Sequence, residues 1–264
     1  MQFDFGDNWL QFSQRALTSE KIEQAQKYFE KLFNNIGLKE KSFVEIGFGQ
    51  GLSLLIAKQK GAVVVGCDIN PKCQEALEKT RVYFSQIKPA SIPLIIGSIL
   101  EQDTINQLLE YSENQGFDIV HSWGVLHHTG NMEKAIHNAA SLVKSGGVLV
   151  LAIYNRHWTS SIWRLIKWLY CKLPFLLQKG MVYLFYPLIW IAKYLVTKEN
   201  PAKMIRGMDF FYNVVDWVGG YPYEYASKEE MVALMESLGF NLINFFPATV
   251  PTGCNEFIFL KKAN

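Results

Sequence analysis

The chain has little cysteine chemistry to offer. Its four cysteines, Cys67, Cys73, Cys171 and Cys254, form no CxxC pair and no zinc-ligand spacing. That excludes a disulfide framework and a cysteine-built metal centre, and fits a reducing compartment. Long hydrophobic runs are missing too. The longest uncharged apolar stretch, Met181 to Ala192, is twelve residues and contains Pro187, short of the ~20 residues a bilayer span requires. At the N-terminus, Asp4, Asp7 and Trp9 stand where a basic region and an apolar run would mark a signal peptide, so a cytoplasmic protein is expected. Finally, residues 156–198 contain neither Asp nor Glu, but hold Arg156, Arg164, Lys167, Lys172, Lys179, Lys193 and Lys198. The net charge of +2 therefore hides a basic segment on an acidic body.

What is present suffices for one large core. With 264 residues and 49% apolar content, one domain carrying an insertion is expected. Residues 8–37 read as helical, with Ile22, Ala25, Phe29, Leu32 and Phe33 near helical spacing and Gly37 as the stop. From residue 42 strands and helices alternate. Strands are expected at 43–47, 62–67, 93–97, 117–122 and 147–153, and helices at 50–60, 71–86, 102–114 and 132–144. Asn70 before Pro71, and Asn131, are N-cap signals, and Gly146-Gly147 is expected to end the fourth of these helices. After residue 155 the alternation gives way to an aromatic, basic, helical stretch. It resumes with the capping box Ser227-Lys228-Glu229-Glu230, and strands near 241–247 and 256–261 close the pattern.

The expected architecture is α/β: a doubly wound, seven-stranded, mostly parallel sheet with N-terminal helices and a helical lid insertion. The divisions are 1–41 for the N-terminal helical segment, 42–154 with 226–264 for the nucleotide-type domain, and 155–225 for the insertion.

The run Val44-Glu45-Ile46-Gly47-Phe48-Gly49-Gln50-Gly51 places three alternate glycines between a buried strand and a helix. Such a turn lets a ligand lie against bare backbone at a helix N-terminus. The next strand ends in Asp68, seventeen residues after Gly51, where a carboxylate can accept hydrogen bonds from ribose hydroxyls. The third strand ends Ile96-Gly97-Ser98-Ile99. The fourth, Phe117 to Trp123, runs into Gly124-Val125-Leu126-His127-His128-Thr129.

In this order and spacing, these elements resemble the class I S-adenosylmethionine-dependent methyltransferases, with GxGxG in place of the dehydrogenase GxGxxG. The resemblance covers about residues 42–153. Phe3 to Trp9, Arg206-Gly207-Met208-Asp209 and Gly219-Gly220-Tyr221-Pro222 are similar to a bacterial methyltransferase-domain subgroup of no single substrate. Two positions depart from the family: Ser98 stands where many members carry Asp, and Ser145 replaces the proline before Gly146-Gly147.

The resemblance implies S-adenosylmethionine as methyl donor and S-adenosylhomocysteine as product, with no metal. Gly47, Phe48, Gly49 and Gly51 would line its methionine and ribose portions. Glu45 would orient the loop and the amine, Asp68 would hold the ribose, and Ile69, Ser98 and Ile99 would flank the adenine. Ser122 and Trp123 would floor the site near the sulfur.

The chemistry asks for an unprotonated nucleophile, and a histidine near neutral pKa suits a general base. His128 is the expected base, with His127 beneath it. His121 reads as a core residue, and His127, His128 and His137 lack the spacing of a metal site. Trp9, Tyr154, Asp209, Tyr212 and Glu256 are candidates for acceptor binding.

The acceptor is expected to be a small molecule methylated on oxygen or nitrogen, and the insertion would choose it. Ile162, Leu165, Ile166, Leu169 and Leu173 fall on one helical face of the insertion, with Arg164, Lys167 and Lys172 largely off it. One reading is a lid burying its aromatics over the site. A second is an amphipathic surface on an anionic membrane, peripheral at its inner face, that collects a lipophilic substrate. A third is an RNA groove, for an RNA or tRNA methyltransferase, against which the long aliphatic runs weigh. A non-catalytic cofactor-binding protein at a membrane surface is the remaining alternative.

Overall fold

The computed structural model describes residues 2–88, 91–203 and 206–263. Seven strands form one sheet: β1 (Ser42–Ile46), β2 (Val63–Asp68), β3 (Leu94–Ile96), β4 (Phe117–Trp123), β5 (Val143–Tyr154), β6 (Phe240–Phe246) and β7 (Cys254–Lys261). Their spatial order is β3-β2-β1-β4-β5-β7-β6. The first five are parallel, and β7 runs antiparallel between β5 and β6. The central strands read as nearly unbroken apolar runs because helices cover both faces. Phe43, Val44, Val120, Leu149 and Leu151 are all fully buried.

On one face lie α1 (Phe5–Arg15), α2 (Ser19–Leu32), α3 (Leu52–Gln59) and α4 (Lys72–Arg81), which pack Phe12, Phe29, Leu55 and Leu77 into a common core. On the other lie α5 (Gln102–Glu110), α6 (Met132–Ser141) and α10 (Lys228–Ser237), contributing Leu108, Ile136 and Met235. The order of strands reverses between β1 and β4, and a crevice opens at their carboxyl ends, as such sheets require.

Local chemistry sets the boundaries. The N-terminal helical pattern is two helices, because Thr18 caps the second by accepting the N–H of Lys21. Asn131 caps α6 through the N–H of Lys134, and Ser227 with Glu230 forms the reciprocal capping box of α10. Strand β5 begins at Val143, not after the glycine pair. Gly146 takes a φ of +69° inside it, and the pairing register with β4 shifts there.

Between β5 and α10 stand α7 (Ser160–Lys172), α8 (Phe175–Thr197) and α9 (Phe210–Gly219). They share a small core of Tyr170, Val182, Phe210, Val214 and Val218. Helix α8 continues through Pro187 for 23 residues with only Val182 buried. The sequence expectation of no membrane-length segment is corrected here. Lys179 and Lys193 interrupt the apolar run but not the helix, which by length and composition is long and apolar enough to cross a membrane. Of the aromatics expected to be buried over the site, Trp163 lines the cavity and Trp190 is partly buried, whereas Trp158 and Trp168 are exposed, as are Ile162, Leu165 and Leu169.

At the opposite end of the sheet, Asp118 ties three strands together. Burial alone would raise its carboxyl, but Lys144 at 2.6 Å and the N–H and hydroxyl of Ser42 hold it at about 2. A depressed carboxyl contributes stability above its ordinary range and loses it as pH falls through the folded value. Acid unfolding of the native chain should therefore steepen between about pH 4 and pH 2. Asp118→Asn should flatten that limb in a denaturation series, and an unchanged limb would contradict the assignment.

Candidate functional site

The crevice widens into a cavity of about 1080 Å³ that runs from the glycine turn to the insertion. Its donor end is built by the turns after β1 and β2. Gly47, Gly49 and Gly51 adopt φ of +73°, +54° and +73°, a region that L side chains avoid. A Cβ at Gly51 would also meet Leu77 at 2.6 Å, and one at Gly49 would meet the indole of Trp9 at 3.0 Å. Gly47 donates its N–H to the Cys67 carbonyl at 2.7 Å, pinning the turn to β2.

Asp68 holds the seat together. One carboxylate oxygen accepts the N–H of Gly49 and the other that of Asn70, each at 2.9 Å. Burial pushes this carboxyl above its ordinary range, against the lowering effect of those two donors. Glu45 is buried behind the loop, its Oε1 3.1 Å from His121 Nδ1. Its Oε2 is buried without a hydrogen-bond partner among the described residues. An acceptor on the cavity wall beside a bare-backbone turn fits the amine of an amino-acid tail, and Asp68 fits a ribose.

The remaining expected cofactor residues divide. Phe48, Ile69, Ser98, Ile99 and Trp123 line the cavity with Gly47 and Gly49. Ile69 is exposed and Ile99 belongs to the core beneath the sheet, while the Ser98 hydroxyl accepts the N–H of Leu100. Gly51 does not line the cavity and serves the turn. Ser122, expected at the floor, is fully buried and donates to the Ile46 carbonyl instead, because alternate strand residues face opposite sides.

The acceptor end is lined by His128, Tyr154, Asp216, Trp217, Arg206 and Glu256, among others. The 3₁₀ turn Leu126–His128 brings both histidines to the carboxyl end of β4. Only His128 reaches the cavity. Its Nδ1–H donates to the Pro222 carbonyl at 2.6 Å, leaving Nε2 as the acceptor nitrogen. Burial, with the nearby Lys167 charge, pushes it down to about 3 despite the Pro222 carbonyl. His127 is fully buried, accepts the Tyr154 N–H at 3.4 Å and stacks on that ring at 4.1 Å. Burial holds it neutral as well.

Of the acceptor-binding candidates, Tyr154 and Glu256 line the cavity. Trp9 does so from the donor side, against Gly49. Two fall elsewhere. Asp209 pairs with Lys21 at 2.8 Å and caps α9 through the N–H of Phe211, which spends its carboxylate on structure. Tyr212 points into the core and donates to the Gln11 carbonyl at 3.3 Å.

The sequence reading missed three groups. Asp216 projects from α9 into the cavity, accepts the Asn8 amide at 2.7 Å, and is raised to about 7 by burial, opposed by Asn8 and by the Lys167 charge. Its signal was a lone acid in the apolar run Val214-Val215-Asp216-Trp217-Val218. Lys167 lies fully buried, donates to the Trp217 carbonyl, and is pushed down to about 7 by burial. The Arg206 guanidinium sits 3.1 Å over the Trp123 ring and 5.1 Å over Tyr28. Its Nε is buried without a partner among the described residues. The Trp123 indole and the Tyr28 hydroxyl both donate to Glu256.

Residues 17–187 match the family model for a methyltransferase domain. Among curated relatives, the chain is 28% identical over 121 residues to a ubiquinone biosynthesis O-methyltransferase from Alkalilimnicola ehrlichii, covering 46% of this chain and 44% of that protein. It is 26% identical over 140 residues to one from Coxiella burnetii, covering 53% of each. The chain thus spans about half the length of the curated relatives it matches. Among solved structures, magnesium protoporphyrin IX methyltransferase from Synechocystis with bound SAH superposes with a TM-score of 0.57 at 14% identity, covering 97% of this chain and 94% of that one. An O-methyltransferase family protein from Burkholderia thailandensis gives 0.55 at 12% identity, covering 92% and 57%. At these identities the structural likeness is one of fold.

Asp68→Ala should weaken S-adenosylmethionine binding about 100-fold, from two lost charged hydrogen bonds at ~1.5 kcal/mol each. Calorimetry that finds the affinity retained would remove Asp68 from the site. On its sheet order, its glycine turn and a family match over more than half its residues, the chain belongs to the methyltransferase-domain family.

Proposed function

We propose that the chain transfers a methyl group from S-adenosylmethionine to an oxygen or nitrogen of a small-molecule acceptor. The observation that carries this is continuity: one cavity joins the glycine turn and Asp68 to a chamber lined by His128, Asp216 and Glu256. When bound, S-adenosylmethionine supplies a methyl already activated on a sulfonium, which moves by in-line displacement. The protein's part is to position the acceptor, remove its proton and keep water out; positioning of this kind supplies ~7–11 kcal/mol.

The residues divide this work. Glu45 Oε2 and the turn at Gly47 and Gly49 would seat the amino-acid tail, and Asp68 the ribose. Asp216, held at about 7, is poised to take a proton at neutral pH, where general-base efficiency is greatest. His128, pushed down to about 3, stays unprotonated and is too weak a base to hold the acceptor's proton. It serves better as an acceptor of hydrogen bonds through Nε2. The base role therefore moves from His128 to Asp216. Trp123, Tyr28 and Glu256 form a polar aromatic wall with Arg206, which would orient a flat acceptor. The relatives named as ubiquinone biosynthesis O-methyltransferases support oxygen over nitrogen as the acceptor atom.

Labelled S-adenosylmethionine incubated with fractionated extract should pass label into extractable small molecules, and label confined to RNA would contradict the reading. With an acceptor in hand, kcat/KM should rise with pH through about 7, because Asp216 acts deprotonated. Asp216→Asn should lower kcat ~10²-fold or more and abolish that rise while sparing cofactor affinity. An unchanged pH profile would exclude Asp216 as base.

A further inference from the structure

Helix α7 is amphipathic in the wrong sense for water. Ile162, Leu165 and Leu169 form its apolar face and are 52%, 62% and 45% exposed, whereas Lys167, off that face, is 0% exposed. A water-facing helix places these residues the other way round. Helix α8 extends the same surface. Leu184, Leu188, Ile191 and Leu195 follow helical spacing along one stripe, and each is more than half exposed. Exposed apolar area on this scale marks an interaction surface.

The charge around the surface says what covers it. Residues 156–198 contain no acidic side chain, and of their basic ones Arg164, Lys172, Lys179 and Lys198 are exposed, whereas Lys167 is buried and Arg156 pairs with Glu230. Lys172 lies over the Trp168 ring at 4.2 Å and Lys179 over Phe175 at 4.5 Å, so cations frame the apolar stripe. Trp158 and Tyr183 are exposed at 79% and 66%, the amphipathic rings that favour a lipid headgroup zone. Apolar side chains set among Lys and aromatic rings, with no acid, complement an anionic bilayer surface.

The opposite side of α8 fixes the orientation. Val182, Phe185 and Tyr186 pack with α9, while Ile189, Ala192 and Val196 line the cavity. With that side turned to α9 and the cavity, the stripe of Leu184, Leu188, Ile191 and Leu195 is the face α8 offers to a partner surface. The same helix has one side on the bilayer-facing surface and the other on the acceptor chamber.

We propose that the outer face of α7 and α8 docks on an anionic phospholipid bilayer and admits an apolar acceptor from it into the cavity. The docking stands on the surface alone; the admission of an acceptor rests on the methyltransferase reading.

The test is co-sedimentation of the full chain with phosphatidylglycerol–phosphatidylcholine vesicles and with pure phosphatidylcholine vesicles, beside calorimetry with S-adenosylmethionine. Binding at least tenfold tighter to the anionic vesicles, weakened by salt, is expected. The double variants Leu184→Glu/Leu188→Glu and Lys172→Glu/Lys179→Glu should each lose at least tenfold in vesicle binding with unchanged cofactor affinity, which shows them folded. No binding to anionic vesicles overturns the proposal. So does equal binding to neutral ones, or a dimer in solution that Leu184→Glu/Leu188→Glu dissolves, for then a second copy covers the face. Wild-type chain that docks but binds no S-adenosylmethionine would overturn the methyltransferase reading and leave the docking intact.

Discussion

The carboxylate of Asp68 is the interaction on which the site depends. It sits at the tip of β2, buried, and each of its oxygens takes one backbone N–H, from Gly49 on one turn and Asn70 on the next. Backbone N–H groups left unpaired in a buried turn cost as much as a lost hydrogen bond. A single side chain therefore fixes the shape of two turns at once. The positive φ angles of Gly47, Gly49 and Gly51 are strained for any other residue type, so the turn cannot relax into an alternative that keeps those bonds. The same oxygens face the cavity, which makes the group that shapes the seat the group that would recognise the ribose.

At the other end of the cavity, burial sets the chemistry. Lys167 and Asp216 are both raised or lowered toward neutrality by desolvation, and each offsets part of the other's cost. Folding Lys167 inward turns α7 so that its leucines face out. The lid thus buries one lysine beside its small apolar core and leaves a second apolar face outside. One rotation of a helix links the tuned carboxyl inside to the unusual surface outside.

Much of the fold was legible because parallel strands buried on both faces have a plain signature. Val44 to Gly51 and Val63 to Asp68 announced strand, turn and ligand edge, and the caps at Asn131 and Ser227 appeared as read. The site was legible where backbone geometry demands a residue type, as at the glycines. It was not legible where a side chain's direction depends on the period of its element. Ser122 lies one residue from Trp123 and faces away, and Asp209 is consumed by capping α9. Asp216 and Lys167 were not assigned to the site because their importance comes from their surroundings in the fold, which a sequence does not print. The α7 stripe was read correctly as a stripe; nothing in its periodicity says which side faces the protein.

The central claim is that one cavity holds the donor at Asp68 and the acceptor beside Asp216. Its most direct test is a crystal structure of the chain with S-adenosylhomocysteine. The ribose hydroxyls should lie within hydrogen-bonding distance of the Asp68 carboxylate, the amine against Glu45, and the sulfur should face the chamber lined by Trp123, His128 and Asp216. A nucleoside bound elsewhere, or a sulfur turned away from that chamber, would contradict it.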